Sequence, residues 1–565
     1  MTAARRGLLL LILLGLAAVA SAPRTASART ISGERSVFLI RVSPASFEDL
    51  LARPQLANLA HAGGAALLSY GGTLDRHVGG ERTPGVDDEI EYVIGVRAQL
   101  VSIGEVIEDR VRRFGARRVL VIVVSLVRTA GMERAKDQLY PVIVADGDPR
   151  ELFGGGVPMR TLTSDSTRRI GVVSDADIVA TIARFTALPL PEEGSPIRVV
   201  DEPVPFELHE RYLAQRRMSV PIGIAAGLYV TLAGLFGLAL LALGRRVPPR
   251  LAHFAAWLAM SVPVLGVALL AAGHLPTLSY ATVMPFLIGV TVVGTLAFVP
   301  LRRFGALVPP AAIGAAVLAY FVVEAALGWT AALTPFHGGS ELDGGRFYGL
   351  PNAFIGLLIG ASLYVAHRMN AIVGFVLIVA AALFAGLPGV GANLGGAVAL
   401  FAAAGLWLAQ RRLGRIGWKG AVLTAVVVVV GVAVVLLAHR FLTSSPTHVT
   451  RFEESPGGLS GIWRTFADRL LVGWRLIVRN PFAIVPVLGL PIVLVALLRP
   501  PALLREPLAA HPAWRDALLV MIVASVIAYV ANDSGAAACG LGFALGLGGL
   551  FYVSLIEGTW KMTAT

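Results

Sequence analysis

From about residue 220 onward, apolar runs follow one another with only short polar breaks, and no other feature limits the possible folds so strongly. Eleven runs are centred near residues 232, 262, 290, 317, 359, 379, 401, 429, 490, 523 and 546. A helix needs about 20 apolar residues to cross a hydrocarbon core of about 30 Å. In lipid, only structures that satisfy their own backbone hydrogen bonds are viable. The pattern therefore predicts an all-α polytopic membrane bundle of about eleven transmembrane helices over residues 219–560, with the lipid bilayer as its partner. Composition agrees, since 56% of residues are hydrophobic and the mean hydropathy is +0.72, above the soluble range.

Charge placement sets an expected orientation. The opening "MTAARRGLLLLILLGLAAVASA" has Arg5 and Arg6, an apolar core, and small residues at Ala20 and Ala22, and reads as a signal peptide over residues 1–28. The region after that signal is then extracytoplasmic, the first span runs inward, and eleven spans leave the C-terminus in the cytoplasm. Under that arrangement the inner loops hold Arg245, Arg246, Arg250, Arg302, Arg303, Arg368, Arg411, Arg412, Arg415, Lys419, Arg499, Arg505, Arg515 and Lys561. The short outer loops hold only Arg346, as the positive-inside rule requires of a protein in the bacterial plasma membrane. Arg211, Arg216 and Arg217, just before the first span, run against the rule.

Residues 31–215 have a soluble composition. Short β-branched runs (Val37–Val42, Ala65–Tyr70, Arg118–Leu126, Tyr140–Ala145, Ile170–Ser174) alternate with helical patterns near Phe47–Ala62, Ser102–Phe114 and Asp175–Ala187. Such alternation predicts an α/β domain with a mostly parallel sheet and helices on both faces. Its boundary with the bundle is expected near "RYLAQRRMSVP". The single cysteine, Cys539, permits no internal disulfide. A formal charge of +12 would point to nucleic acid in a soluble protein. Here topology places the arginines and export argues against a nucleic-acid partner.

Four stretches of the exported region resemble the alkaline phosphatase superfamily, which includes sulfatases and phosphopentomutase-like enzymes. "VFLIRVSPASFEDLLARPQLANLAHAGGAALLS" is similar to that family's opening strand and helix, and "IGEVIEDRVRRFGARRVLVIVVS" to the helix and strand before its Asp-His metal motif. "LYPVIVADGDP" resembles the next strand, and "TSDSTRRIGVVSDADIVATIARFTALPLPEEGSPI" the closing segment, with Asp177 and Thr181 in its Asp-x-x-Pro-Thr. The resemblance implies a two-metal phosphatase scaffold whose ligands are missing. Ser43 stands in place of the first aspartate, and Leu126, Val127 and Arg128 in place of Asp-His-Gly. His61, His77 and His209 match no ligand position, and only Thr73 falls where the nucleophile belongs. A hydroxyl and aliphatic groups cannot replace hard carboxylate and imidazole donors. The expectation is a pseudo-phosphatase with no metal and no cofactor.

Polar and turn-forming residues collect at the expected outer ends of the spans, in "HGGSELDGGRFYGLPN", "GLPGVGANLGG", "HRFLTSSPTHVTRFEESPGG" and "ANDSG". Glu324 lies inside the fourth span, about one turn from the same face. An ionisable side chain inside a span is costly and marks a pathway or a partner, and Arg346 is the expected cation for it. Candidate catalytic groups are Glu324, Asp343 and Asp533, and candidate binding groups are Arg346, Tyr348, Asn352, Asn393 and Asn532. Residues 459–480 place Leu459, Ile462, Trp463, Phe466, Leu470, Trp474 and Ile477 on one helical side. Arg464, Asp468, Arg469, Arg475 and Arg479 lie on the other. This is the pattern of an interfacial helix with Arg464 and Arg475 toward lipid phosphate, or of a helix packed over the bundle. Together these point to recognition and translocation, or gating, of an anionic envelope component such as an anionic lipid or lipid-linked glycan. A transferase using a lipid-phosphate donor at the outer leaflet is the alternative, and an active metal-dependent phosphohydrolase a second alternative.

Overall fold

The computed structural model describes residues 35–42, 47–69, 90–95, 108, 111, 118–125, 139–154, 159–189, 194–202, 206–243, 247–329, 336, 349–414, 417–442, 467, 470–471, 474–475, 478, 484–500, 502–532 and 535–560. The expected signal peptide lies outside them, as do Ser43, Thr73, His77, Leu126, Val127, Arg128, Asp343, Arg346, Tyr348, Arg464 and Asp533.

The first region is a sheet built from β1 (Arg35–Val42), β2 (Gly64–Ser69), β3 (Ile90–Gly95), β4 (Arg118–Ser125), β5 (Leu139–Gly147), β6 (Thr161–Thr163), β7 (Val172–Ser174) and β8 (Arg198–Val200). Spatial order is β3, β1, β4, β5, β2, β6, β8, with β7 also paired to β2. Strand β1 is parallel to β3 and β4, and β2 to β6 and β7. Strand β5 runs against both β4 and β2, and β8 against β6. The sheet is therefore mixed, with four parallel and three antiparallel pairings among the described residues. Alternating apolar runs locate strands but not their direction, and an antiparallel neighbour needs no crossover helix.

Successive side chains of a strand point to opposite faces, and both faces here are apolar. Phe38, Ile40, Val121 and Val123 pack on one side, beneath Leu50 of α1 (Phe47–Leu51), Leu56 and Leu59 of α2 (Pro54–Ala62), and Tyr212. Val37, Leu39, Leu120 and Ile122 pack on the other, beneath Ile178, Ile182 and Phe185 of α3 (Asp175–Phe185). The expected single helix over 47–62 divides before Pro54, whose ring disfavours helix at the preceding residue.

Tyr212 belongs to α4 (Phe206–Leu243), a continuous helix that enters the bundle. The expected boundary near residues 211–221 thus falls inside one continuous helix. The bundle continues with α5 (Pro249–Ala271), α6 (Tyr280–Ala297), α7 (Val308–Ala326), α8 (Ile355–Ala366), α9 (Ala371–Gly386), α10 (Leu394–Leu413), α11 (Trp418–Leu442), α12 (Ile484–Leu498), α13 (Ala502–Ala510), α14 (Pro512–Ala531) and α15 (Gly535–Trp560). Eight of the described helical segments are long and apolar enough to cross a membrane, and they coincide with eight of the eleven expected spans. The other three expected spans correspond to α8, α9 and α12, of 12, 16 and 15 residues, or about 18, 24 and 22 Å at 1.5 Å per residue. Helix α8 is buried along nearly its whole length at the bundle centre.

Candidate functional site

Contacts between helix termini gather one end of the bundle. The Nη1 of Arg211, near the start of α4, donates to the carbonyl of Leu275 at 2.5 Å, just beyond α5, and its Nη2 donates to the carbonyl of Gly273. The Leu350 amide, before α8, donates to the Gly391 carbonyl at 2.8 Å, after α9. His439, in the last turn of α11, bonds the Gly386 carbonyl at 2.9 Å through Nε2. Asn532 follows α14 and abuts Gly395 at the start of α10, where an added Cβ would lie 2.5 Å from its Oδ1.

The sheet region meets this same end. Arg169, between β6 and β7, donates from Nη1 to the Gly328 carbonyl at 3.1 Å, just past α7. Its neighbour Arg168 approaches Gly389 in the turn after α9, with Nη1 3.9 Å from where a Cβ would sit. The loop presenting both arginines is held from beneath by Asp177. That carboxylate accepts from Ser164 Oγ at 2.7 Å, Ser166 Oγ at 2.5 Å, the Ser174 amide at 2.8 Å and the Ser195 amide at 2.8 Å. Asp177 is fully buried, and its bond to Ser174 closes the capping box of α3. Thr181 ties in as well, accepting from the Ile197 amide at 2.8 Å.

Beside Gly328, Glu324 of α7 is wholly buried and His274 Nε2 lies 2.7 Å from its Oε2. His274 ends the 3-10 turn after α5, and its side chain is 38% exposed. An ionised carboxylate accepts hydrogen bonds and a ring N–H donates them, so the two side chains are matched as partners. The hydroxyl of Tyr320, one turn earlier on α7, is buried beside the same carboxylate. The arrangement is a buried acidic side chain hydrogen-bonded to a partly exposed imidazole at this end of the bundle.

Of the expected binding residues, Asn352 and Asn393 come together. Asn393 Nδ2 donates to Asn352 Oδ1 at 2.8 Å and to the Leu350 carbonyl at 3.0 Å, while its Oδ1 accepts from the Gly396 amide at 2.8 Å as the N-cap of α10. Asn532 turns its Nδ2 back to the Ala528 carbonyl at 3.0 Å. All three are buried; the Asn352–Asn393 pair joins the segment before α8 to the start of α10, while the Asn532 amide bonds its own helix. Arg475 is exposed, near exposed Leu471, Trp474 and Val478 at helical spacing, and the adjacent Leu470 carbonyl lies 3.5 Å from the Tyr529 hydroxyl of α14. Among the described residues, no group of three or more His, Cys, Asp or Glu side chains is placed to hold a metal ion.

Sequence reasoning found Glu324 but not His274, which lies 50 residues away. The available signal was a histidine at a break between apolar runs, facing the end of the span that carries the acid. Arg168 and Arg169 gave no signal, because in sequence they are two basic residues of a soluble loop. No protein-family model matches the chain, and neither curated proteins nor solved structures offer a relative.

Proposed function

We propose that this is a polytopic protein of the bacterial plasma membrane that recognises an anionic envelope component and translocates or gates it. The sheet region acts as an extracytoplasmic pseudo-phosphatase docked on the transport bundle. The observation that carries this reading is the shared location of the docking contact and the ionisable pair. Arg169 bonds Gly328 only four residues beyond buried Glu324, so movement of the sheet region bears directly on the Glu324–His274 pair. The distribution of cations supports the orientation. Arg302, Arg303, Arg368, Arg411, Arg412, Lys419, Arg499, Arg505 and Arg515 lie at the opposite end, which the positive-inside rule assigns to the cytoplasm. The resemblance to the alkaline phosphatase superfamily remains part of the proposal, with the sheet region serving in recognition.

The test is complementation of envelope integrity in a deletion strain by Glu324→Gln and His274→Asn variants that reach the membrane at wild-type levels. Loss of complementation in both is expected; full complementation by both would sink the proposal. The partial exposure of the His274 side chain also favours a second reading, transfer from a lipid-phosphate donor with His274 as general base oriented by Glu324. Purified protein incubated with labelled polyprenyl-phosphate sugars separates the two, since only transfer yields labelled product.

A further inference from the structure

Helix α4 stands off the bundle on a line of small residues, leaving a groove of about 300 Å³ against α5 and α15. Gly223, Gly227, Val230 and Gly234 of α4 form its long wall, Phe354 and Phe551 contribute across from them, and the lining is almost wholly apolar. From Gly223 to Leu238 the groove follows α4 for about 22 Å at 1.5 Å per residue, more than half of a hydrocarbon core of about 30 Å. Leu235 and Leu238 both line it and are about half exposed, which makes it continuous with the outward apolar face of α4 formed by Val220, Ile224, Leu228 and Leu232. That face belongs to a candidate membrane span, so what reaches the groove is lipid.

Helical periodicity adds a charge to this groove. Arg216 is seven residues before Gly223, two turns up the same face, and Arg217 is beside it and exposed. These cations occupy the end of the span from which the positive-inside rule would exclude them. A guanidinium above an apolar slot has the complement of a lipid phosphate above its hydrocarbon chain.

We infer that the α4–α5–α15 groove binds one hydrocarbon chain of an anionic membrane lipid, with its phosphate at Arg216 and Arg217. This rests on the proposed function in one respect, naming the anionic component as a lipid. The step is non-covalent, and packing of the chain drives it, since bulk lipid is as apolar as the groove.

The test uses the full-length protein in phosphatidylcholine vesicles containing a minor fraction of phosphatidylglycerol with a diazirine in one acyl chain. Photolysis is expected to give adducts on residues 223–238 and 536–551. Those adducts should be lost in a Gly223→Leu/Gly234→Leu variant, which fills the groove, and kept in Gly289→Leu, whose site on α6 is also open. Gly223→Leu alone serves if the double variant misfolds, because a Cβ there meets nothing within 4 Å. Arg216→Gln/Arg217→Gln should reduce capture of the phosphatidylglycerol probe to that of a phosphatidylcholine probe with the same chain. Adducts that persist after filling, equal capture of both lipids by the wild type, or cross-linking to a second copy instead of lipid would each overturn the inference. Glu324→Gln protein that loses complementation yet keeps the adducts leaves both readings standing. Wild-type complementation by both that variant and His274→Asn, with adducts retained, removes the proposed function alone.

Discussion

Asp177 shows how one buried side chain can be identified by its neighbours in sequence and still be understood only from its partners in space. The family resemblance placed it in a functional motif. In the structure its carboxylate gathers the 164–166 loop, the start of α3 and the segment at Ser195 through four hydrogen bonds. Removing one partner of a buried charged hydrogen-bond set leaves several donors unsatisfied, each costing about 1–3 kcal/mol. Asp177→Ala is therefore expected to destabilise the sheet region by at least about 3 kcal/mol and to loosen the Arg168–Arg169 loop that it supports. A lowered unfolding midpoint, with faster amide exchange across residues 164–171, would verify this; an unchanged midpoint would refute it. Glu324 was legible because a carboxylate in an apolar run is conspicuous. His274 was not, since the pairing depends on α5 and α7 ending side by side, which no local spacing records. The buried asparagines were legible as polar loop positions, but their amides are engaged in capping and loop closure, which composition cannot distinguish from ligand binding.

Among the elements, hydropathy located all eleven bundle helices that were expected, because a long apolar run has few other stable forms in lipid. Three of them, α8, α9 and α12, are shorter than a full span, and for α8 hydropathy is blind to the cause, since a helix sheathed by protein reads as apolar as one facing lipid. Helix α8 is the clearest case, and close packing explains how it is accommodated. A Cβ at Gly356 would lie 2.1 Å from the Ala538 carbonyl oxygen and 2.6 Å from the Gly542 nitrogen, so α8 and α15 meet backbone to backbone. Gly356→Ala should cost about 1–3 kcal/mol through overpacking and lower the thermal midpoint of the full-length protein, whereas Gly289→Ala, with open space around it, should not. Helix α4 makes the opposite use of its sequence. Pro221 lies inside it, between the turn carrying Arg216 and Arg217 and the groove wall that begins at Gly223. Proline removes one backbone hydrogen bond and crowds the preceding turn. Pro221→Ala is expected to slow amide exchange over residues 217–225, and equal exchange in the two proteins would show that the proline does not loosen this turn.

At the scale of the whole molecule, the alternation of helix direction brings residues far apart in sequence to a common end. Residues 211, 273–276, 324–329, 349–352, 386–393, 439 and 531–532 are linked by the contacts between helix termini and the order of the chain. The sheet region bonds to the same set through Arg169. Mutual placement of these ends is internal to the fold and was not derivable from hydropathy, which gives only the order of spans. Which side of a membrane they face is a separate property with its own measurement. With Cys539→Ala as background, single cysteines at Asp201, Arg217 and Arg440 are expected to react with a membrane-impermeant maleimide in intact cells. Cysteines at Arg368, Arg412 and Arg505 should react only after permeabilisation. These positions sample the sheet region, the docked end of the bundle and its cation-rich end independently, so the pattern has internal controls. If Asp201 reacts from outside while Arg440 does not, the docked end is divided by the bilayer and no common site exists for Glu324, His274 and the sheet region. If all three react only after permeabilisation, the docked end faces the cytoplasm, and an envelope component approaching from outside would have to be recognised at the cation-rich end instead.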